Sequence, residues 1–469
     1  MNTIPRLLVA LTLLLAGCTL QAGVERAQAD DPGAVATSEA QATRLAALEQ
    51  TVAAQSERLA ALAAAAASPE PTPAAVLTPS SGQLAYVQGG DIWVRTLPDG
   101  EARRLTADGR NREPHWSPSG GWLSFRKDGG LWLMRADGTG GRSLGAASDA
   151  AWSPVDDRLA YINWDRSGFF ILDPEALANT DASGEGRLVF VSELPADQSQ
   201  TIHGFAWLPE GTDVAFGVST WEGEQPTAAA VWQVGTTPED AEPWVRFDPG
   251  EASAALLPAA WGSGGEGLLI LRDAEHDENF ADDLPLLLAP DDTTLELPTP
   301  LQRGEAFLGR APDGAALALA LGAGTSTWEG KKLTLLDLSD GELWELTGED
   351  TVALTPRFAP DGLRLAYVAM PASSDLLERR IWLRDLGDDV PRQLTGDPLY
   401  RDESPFWSAD GEQLFFLRMT RDGRVSLWVI ATDGGAPRRL VDELTPAPDW
   451  FANEGAPDWA ELFSWHPGA

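Results

Sequence analysis

Hydrophobic and polar positions alternate in short runs along residues 114–144, and turn residues separate the runs. A Trp-Ser-Pro-Ser-Gly segment precedes the apolar residues 122–125, and a second apolar run at 131–134 ends at an Asp-Gly pair. Alternation over four to six residues is typical of half-buried strands. Pro early and Gly late in a four-residue segment favour a tight turn, and Asp-Gly favours a hairpin. The stretch therefore predicts four short antiparallel strands, the content of one β-propeller blade.

The same pattern recurs along the rest of the chain. Counterparts of the Trp-Ser-Pro turn lie at residues 152–156, 207–211, 261–265, 310–314, 358–362 and 407–411. Third strands carry a tryptophan at a matching place, in Trp93, Trp132, Trp232, Trp382 and Trp428. Repetition of one supersecondary unit at this period is the sequence signature of a propeller or a related array. We expect the tryptophans of the first strands to pack between neighbouring blades.

The two ends of the repeat region complement each other. The first repeat, near residue 80, lacks the strand that should precede its turn, and residues 462–468 resemble that strand with nothing after it. Pairing them would close the ring and remove an open sheet edge. We therefore predict an all-β closed propeller over residues 79–469 with eight four-stranded blades. Seven blades remain the alternative, because the fifth and sixth repeats are degenerate.

The pattern W-S-P-D-G…L-A-F…L-W-V-M…D-G…R-x-L-T resembles the TolB-type family of bacterial β-propeller repeats, also called WD-like repeats. The match is strongest at residues 116–144 and 407–440. The resemblance implies a protein–protein interaction platform in the cell envelope, or the propeller half of a peptidase. We expect binding rather than catalysis. A propeller hydrolase or lyase acting on glycans is the alternative, and it would require several histidines and carboxylates clustered around the channel.

The N-terminus indicates the compartment. Arg6 precedes an apolar run that ends in Leu15-Ala16-Gly17-Cys18, and Cys18 is the only cysteine of the chain. The run is too short to span a bilayer. This ending resembles the lipobox of bacterial lipoproteins. The resemblance implies removal of residues 1–17 as a signal peptide, acylation of Cys18, and a lipid-anchored propeller outside the cytoplasm, either periplasmic or extracellular.

Three segments separate this anchor from the repeats. Residues 18–40 are small and polar, which predicts a disordered tether. Residues 41–67 predict a helical stalk, because good helix formers surround a series with alternating spacings of three and four, Leu45, Leu48, Val52, Gln55, Leu59 and Leu62. Residues 42–66 could self-associate as a short coiled coil, and a single solvated helix is the alternative. The Pro-rich residues 68–78 predict a stiff linker.

Charge narrows the range of partners. The chain has 71 acidic and 34 basic residues, for a formal net charge of -37. Such a surface repels phosphate backbones, so nucleic-acid binding is excluded, whereas a basic partner or a cation is compatible. One acidic run contains the candidate calcium ligands Asp273, Glu275, Asp277 and Asp282. It lacks the Gly and Glu of an EF-hand loop, and a solvated charge run is the alternative. No other cofactor is expected.

A five-residue word, Ser-Thr-Trp-Glu-Gly, occurs at residues 219–223 and again at 326–330. We place both copies in loops between second and third strands, at the end of the propeller where chain segments enter the first strands. Exposed tryptophan is favoured at interfaces. The predicted surface for a partner protein or glycan comprises Trp164, Trp221, Glu222, Trp328, Glu329, Tyr400, Trp450 and Trp459. The alternative is that each Trp packs on its own blade. His203 is predicted to lie at the channel mouth.

Overall fold

The computed structural model describes residues 77–468 except 179–186, 191–196, 238–241, 251–254, 263–266, 274–284, 290, 303–306, 323–329, 373–377, 388–389 and 446–461. The predicted signal peptide, tether and stalk, and residues 68–76 of the linker, lie outside these residues. The described residues belong to one compact unit, Leu77–Ala469. No helix among them is long and apolar enough to cross a membrane.

The described chain consists almost entirely of antiparallel strands, numbered here in chain order. The first ten are β1 (Gly82–Gln88), β2 (Asp91–Leu97), β3 (Arg103–Arg104), β4 (Asn111–Trp116), β5 (Trp122–Lys127), β6 (Gly130–Arg135), β7 (Arg142–Trp152), β8 (Leu159–Asn163), β9 (Phe169–Leu172) and β10 (Arg187–Phe190). The next twelve are β11 (Gln198–Trp207), β12 (Asp213–Glu222), β13 (Gln225–Gly235), β14 (Trp244–Phe247), β15 (Ala255–Trp261), β16 (Leu268–Asp273), β17 (Leu286–Leu288), β18 (Thr294–Glu296), β19 (Leu308–Arg310), β20 (Ala316–Leu321), β21 (Lys332–Asp337) and β22 (Leu343–Glu345). The last nine are β23 (Thr351–Phe358), β24 (Arg364–Pro371), β25 (Arg380–Asp385), β26 (Arg392–Gln393), β27 (Tyr400–Trp407), β28 (Gln413–Thr420), β29 (Val425–Ala431), β30 (Arg438–Leu444) and β31 (Phe463–His466). One short helix, α1 (Pro174–Ala178), follows β9.

Within the described residues these strands form seven sheets, six of four strands and one of seven. The seven-stranded sheet runs β10-β9-β8-β7-β6-β5-β4 and divides into two sets that share β7. Residues 142–146 of β7 pair with β6, whereas residues 147–152 pair with β8. Each four-strand set is called a unit and is named after the strand in it that comes first in the sequence, from the β1 unit to the β27 unit. In the β1 unit the place of the first strand is taken by β31.

The C-terminal strand completes the first sheet. β31 pairs antiparallel with β1, with Gln83 opposite His466 and Tyr86 opposite Phe463, and the strand order is β3-β2-β1-β31. The chain therefore places its last strand beside its first one, at the position where the first repeat lacks a strand.

The core consists of apolar layers between neighbouring units. In β28, Phe415 and Leu417 pack in one cluster with Leu84 of the β1 unit. The intervening Phe416 packs in another cluster with Val368 of the β23 unit. Because alternate side chains of a strand point to opposite faces, both faces of this second strand are buried. Residues 414–417 of this strand are therefore all apolar rather than alternating.

Tryptophans of the first strands also join neighbouring units. Trp116, Trp207, Trp261 and Trp407 are buried, as predicted, whereas Trp152, also predicted to be buried, is only half-buried. The indole N–H of Trp407 donates to the carbonyl of Arg357 at 2.9 Å, and that of Trp207 donates to Ala151 at 3.2 Å. In both cases the acceptor lies in the first strand of the preceding unit. These side chains thus combine a large apolar contact with one directed hydrogen bond.

Arginines near the outer strands hold the next unit in the same way. Arg103 donates to the carbonyl of Asp137 at 2.7 Å, Arg142 donates to that of Leu177 at 3.3 Å, and Arg392 donates to that of Thr432. Each acceptor carbonyl belongs to the neighbouring unit and lies in the segment just after the third strand of that unit. The β23 and β27 units are therefore linked at both the inner and the outer end of the sheet.

Two glycines mark the closest approach between units. A Cβ built on Gly217 of β12 would lie 1.6 Å from the carbonyl oxygen of Leu256 in the β15 unit. A Cβ on Gly309 of β19 would lie 2.3 Å from the carbonyl oxygen of Pro356 in the β23 unit. Backbone oxygens cannot move away as a flexible side chain can, so only glycine fits at these two positions.

Gly217→Ala is therefore expected to destabilise the propeller by about 3 kcal/mol, because the added methyl forces two packed sheets apart. Urea unfolding of the variant measures the loss. Gly141→Ala is the matched control, because a Cβ at Gly141 meets nothing within 4 Å. Equal stability of the two variants would contradict the close approach.

Candidate functional site

The connections between second and third strands lie at the same end of the molecule as the segments that enter the next unit. The amide of Ile202 donates to the carbonyl of Arg166 at 2.9 Å, and the amide of Asp402 donates to that of Arg379 at 3.1 Å. Ala353 makes the same contact with Lys331 at 3.0 Å. This end is called the loop face. Its backbone hydrogen bonds tie each connection to the first strand of the following unit.

First strands bulge where they enter the units at this face. The pairing of β4, β23 and β27 shifts register around three residues in left-handed conformation, Glu113 (φ 54°), Thr355 (φ 49°) and Ser404 (φ 49°). Each precedes a proline and lies three residues before the aromatic end of its strand. Bulges redirect side chains next to sites and edges. Here the bulges point acidic and polar side chains near the start of each strand toward the interior of the protein.

A buried ionic cluster lies at the bulge of β27. Glu403 is 1% exposed and accepts hydrogen bonds from Arg379 Nη1 at 2.8 Å and from Arg401 Nε. Burial alone would raise the pKa of Glu403, but the charges of Arg379 and Arg401 outweigh it and hold the pKa below its ordinary value. The carboxylate is therefore ionised at neutral pH.

Arg418 forms the second half of this cluster. Its Nε and Nη2 donate to the two carboxylate oxygens of the buried Asp402 at 2.7 and 3.0 Å. The guanidinium carbon lies 4.8 Å from the ring centroids of both Tyr400 and Trp428. A depression of about 320 Å³ is lined by these aromatic rings and Arg418. The predicted binding residue Tyr400 therefore lies beside a fixed cation.

A larger cleft of about 800 Å³ adjoins this depression through Gly396. Its walls are residues 346–351, which lead into β23, the strands β24 and β25, and residues 391–398, which lead to β27. In β25, Arg380, Trp382 and Arg384 line the cleft on one face, while Ile381 and Leu383 are buried on the other. The period-two alternation of a strand thus produces an Arg-Trp-Arg stripe.

The second wall strand adds a phenol to this stripe. Tyr367 lies opposite Trp382 in the β24–β25 pairing, is 1% exposed, and lines the cleft. Burial raises the pKa of Tyr367 to about 12, although the nearby charge of Arg384 opposes the shift. The hydroxyl therefore remains a hydrogen-bond donor throughout the physiological range.

The predicted loop residues occupy different environments. Trp164 is 68% exposed in the connection between β8 and β9. Trp221 is half-buried, and it lies with Glu222 at the end of β12 rather than in a loop, because Gly223 (φ 64°) allows a tight hairpin into β13. The predicted loop position was therefore wrong for this copy of the repeated word. Trp328, Glu329, Trp450, Trp459, Glu275, Asp277, Asp282 and Cys18 lie outside the described residues, as does the side chain of Asp273.

His203 is buried at the first strand of the β11 unit. Its Nε2 lies 2.9 Å from Ser219 Oγ, and its carbonyl accepts a hydrogen bond from Arg166 Nη1 at 3.0 Å. First strands of four consecutive units enclose a cavity of about 270 Å³ lined by Ala150, Phe205 and Pro258, among others. His203 is not among the residues found to line that cavity in the described part of the chain.

The described residues do not form a hydrolase nucleophile elbow or a metal site. Residues 141–145, G-R-S-L-G, match the Gly-x-Ser-x-Gly pattern of hydrolases, but Ser143 lies exposed within β7 rather than at a strand-to-helix turn. The structural context that makes this pattern a nucleophile elbow is a strand-to-helix turn. Among the described residues, no three His, Cys, Asp or Glu side chains are positioned to hold a metal ion.

The described chain is thus an all-β protein of propeller fold with a cleft of aromatic and arginine side chains at its loop face. No family model matches the chain. Over 105 residues it is 32% identical to the uncharacterized peptidase YuxL of Bacillus subtilis (strain 168), a match that covers 21% of this chain and 16% of that protein. The chain therefore matches only about a sixth of that relative's length.

Solved structures show a likeness in fold. Dipeptidyl peptidase 4 of Porphyromonas gingivalis is 13% identical with a TM-score of 0.52, over 78% of this chain and 60% of that one. The putative TolB of Agrobacterium tumefaciens is 12% identical with a TM-score of 0.33, over 78% of this chain and 89% of that one. The repeated four-stranded sheets agree with the propeller predicted from the TolB-type repeat pattern.

We expect Glu403→Gln to lower the free energy of unfolding by about 3 kcal/mol near neutral pH, because it leaves Arg379 buried without its carboxylate. Because the pKa of Glu403 is lower in the folded than in the unfolded protein, its carboxylate stabilises the fold at pH values above the unfolded-state pKa, about 4.3 for Glu. This stabilisation is lost as the pH falls through the folded-state pKa. The difference from the wild type should therefore shrink below about pH 4. Urea unfolding across this range measures it.

The exposed Glu412 supplies the control for this prediction, since it has no side-chain partner among the described residues. Glu412→Gln should leave stability unchanged at each pH. A loss for Glu403→Gln that is small and independent of pH would show that the cluster does not hold an ionised carboxylate.

Trp164→Ala should change stability by less than about 0.5 kcal/mol, because the side chain is mostly in water. Trp221→Ala should cost about 2 kcal/mol, because it removes a half-buried ring whose indole nitrogen is fully covered. Thermal and urea unfolding of both variants measure this contrast. Similar losses for the two would show that Trp164 also packs on its own unit.

Proposed function

We propose that the protein binds a partner protein at the loop face of its propeller, within the cell envelope. The cleft of about 800 Å³ carries this proposal. Its volume lies in the range of binding sites, and its lining combines apolar and aromatic residues with polar and charged groups that can orient a ligand. Tryptophan, tyrosine and arginine are the residues most enriched at the energetic centres of interfaces.

We propose that the binding surface also includes predicted residues outside the cleft, at the same loop face. Tyr400 lines the depression next to the cleft, and Trp164 presents an exposed indole on the β7 unit. The remaining predicted tryptophans of the surface, Trp328, Trp450 and Trp459, belong to it by sequence only. Glycan stacking on these rings is the alternative mode of binding.

We further propose that the units close as one eight-bladed ring. Support comes from the pairing of β31 with β1 and from the apolar cluster that joins Phe415 of the β27 unit to Leu84 of the β1 unit. The shared strand β7 accounts for eight four-strand units in seven sheets.

The place of the protein in the cell is proposed from the sequence. The lipobox-like residues 15–18 support an acyl anchor on Cys18, and two or three acyl chains would hold a protein stably on a membrane. Residues 41–67 would then serve as a stalk, with self-association through residues 42–66. Calcium binding by the acidic run from Asp273 to Asp282 remains a prediction.

Site-specific photo-crosslinking tests the binding proposal. A photoreactive amino acid replaces Glu378, an exposed residue at the rim of the cleft, in the full-length protein in its own cells. A defined envelope protein, identified by mass spectrometry, should be attached on illumination. The measurement is the yield of that adduct on a denaturing gel.

The control probe replaces Leu363, which is 47% exposed in the turn between β23's end and β24. This turn lies in the same unit, at the end opposite to the loop face. Adducts of equal yield from both positions, or none from Glu378, would refute a binding site in the cleft.

A further inference from the structure

We infer that the cleft takes an extended peptide segment that presents a carboxylate to the Tyr367 hydroxyl and to the guanidinium groups of Arg384 and Arg421. This inference rests on the proposed function and names the chemistry of the partner at the same site. It follows from a tyrosine hydroxyl in the cleft wall that makes no hydrogen bond among the described residues, from the arginine stripe of β25, and from the local charge.

Tyr367 supplies the first argument. Its side chain is 1% exposed, and among the described residues its hydroxyl makes no hydrogen bond. The ring is covered by the protein, but the hydroxyl oxygen is not fully covered and stays open toward the cleft. The hydroxyl lies in the wall of the cleft, so an acceptor atom of a bound ligand can satisfy it. A carboxylate oxygen makes the strongest such acceptor.

The arginine stripe supplies the second argument. Alternate residues on one strand face are about 6.8 Å apart, so Arg380, Trp382 and Arg384 flank an aromatic ring with two cations. Arg380 donates to the carbonyl of Tyr400 at 2.9 Å, and Arg384 donates to that of Leu346 at 2.6 Å. These bonds hold both side chains in place before a ligand arrives, which reduces the entropy lost on binding.

Arg421 adds a cation at the rim. It lies in the turn after β28, is exposed, lines the cleft, and makes no hydrogen bond or ion pair within the described chain. Its neighbour Arg424, in the same turn, is instead paired with Asp422 at 3.0 Å. Arg421 is therefore free to form a bidentate pair with an incoming carboxylate.

Charge distinguishes a peptide from an acidic glycan. Three arginines and two carboxylates, Asp350 and Glu378, line the cleft, so the lining carries a net charge of +1 in a chain of -37. One ligand carboxylate fits this local excess of positive charge. A polyuronate would bring repeated negative charges against Asp350 and Glu378, whereas peptide N–H groups can donate to them.

Binding of defined peptides to the full-length protein in detergent micelles tests the inference. The probes are labelled, N-acetylated hexapeptide pools with one Asp at a fixed position, compared with pools that carry Asn at that position. Fluorescence anisotropy should show at least tenfold tighter binding of the Asp pools, because charge-assisted hydrogen bonds replace neutral ones.

Two variants assign this preference to the cleft. Arg421→Ala should weaken binding of the Asp pools about tenfold, and Tyr367→Phe, which keeps the ring and removes only the hydroxyl, should weaken it several-fold. Arg424→Ala is the control for the first variant. Tyr86→Phe is the control for the second, because Tyr86 lies opposite Trp93 in β1 as Tyr367 lies opposite Trp382 in β24.

Equal affinity for Asp and Asn pools, or affinity unchanged by both cleft variants, would overturn the inference. So would tight binding of a uronic-acid oligosaccharide that loses affinity in the same variants while the peptides do not bind. If these results appear while the Glu378 probe still captures its partner, only the carboxylate recognition fails. Loss of the crosslink as well would reject the binding site itself.

Discussion

Close packing of each unit against both neighbours is the constraint on which the structure depends. A single four-stranded sheet here has two apolar faces, as β28 shows, and neither face can be buried within its own unit. The free energy of burial is therefore gained only between units. Gly217 and Gly309 allow the backbones to approach until carbonyl oxygens occupy the space of a side chain. Tryptophan N–H groups and arginines then fix the relative positions of the units by directed hydrogen bonds.

The packing between units also fixes the positions of the connections and charged side chains at the loop face. Backbone bonds such as Asp402 to Arg379 bind each connection to the next first strand, and the bulges turn Glu403 and its neighbours inward. The resulting cluster buries charges, which is costly unless every charge is paired. Because Arg379 and Arg401 share Glu403 while Arg418 holds Asp402, the cations beside the cleft and its neighbouring depression are held rigidly.

Much of the fold was predictable because the repeat is local. Turns with Pro and Gly, alternating strands and a tryptophan in most first strands are all visible within forty residues, and the propeller prediction followed from them. The cleft was less predictable. The alternation Arg380-Ile381-Trp382-Leu383-Arg384 is visible in the sequence, but the wall opposite it, residues 346–351, comes from the preceding connection. The run Tyr400 to Glu403 looks like a polar loop, and only the bulge before Pro405 places its carboxylates in the interior.

The shared strand β7 sets one boundary between units apart from the others. It is the fourth strand of the β4 unit and continues as the first strand of the β7 unit, and its partner changes between Ala146 and Ala147, just after Gly145 (φ 90°). Other neighbouring units are joined by a connecting segment that can vary in length without breaking a ladder. At β7 a single added residue would either have to form a further bulge or reverse the facing of every side chain beyond it. Additional residues are therefore accommodated more readily at the other connections than within β7.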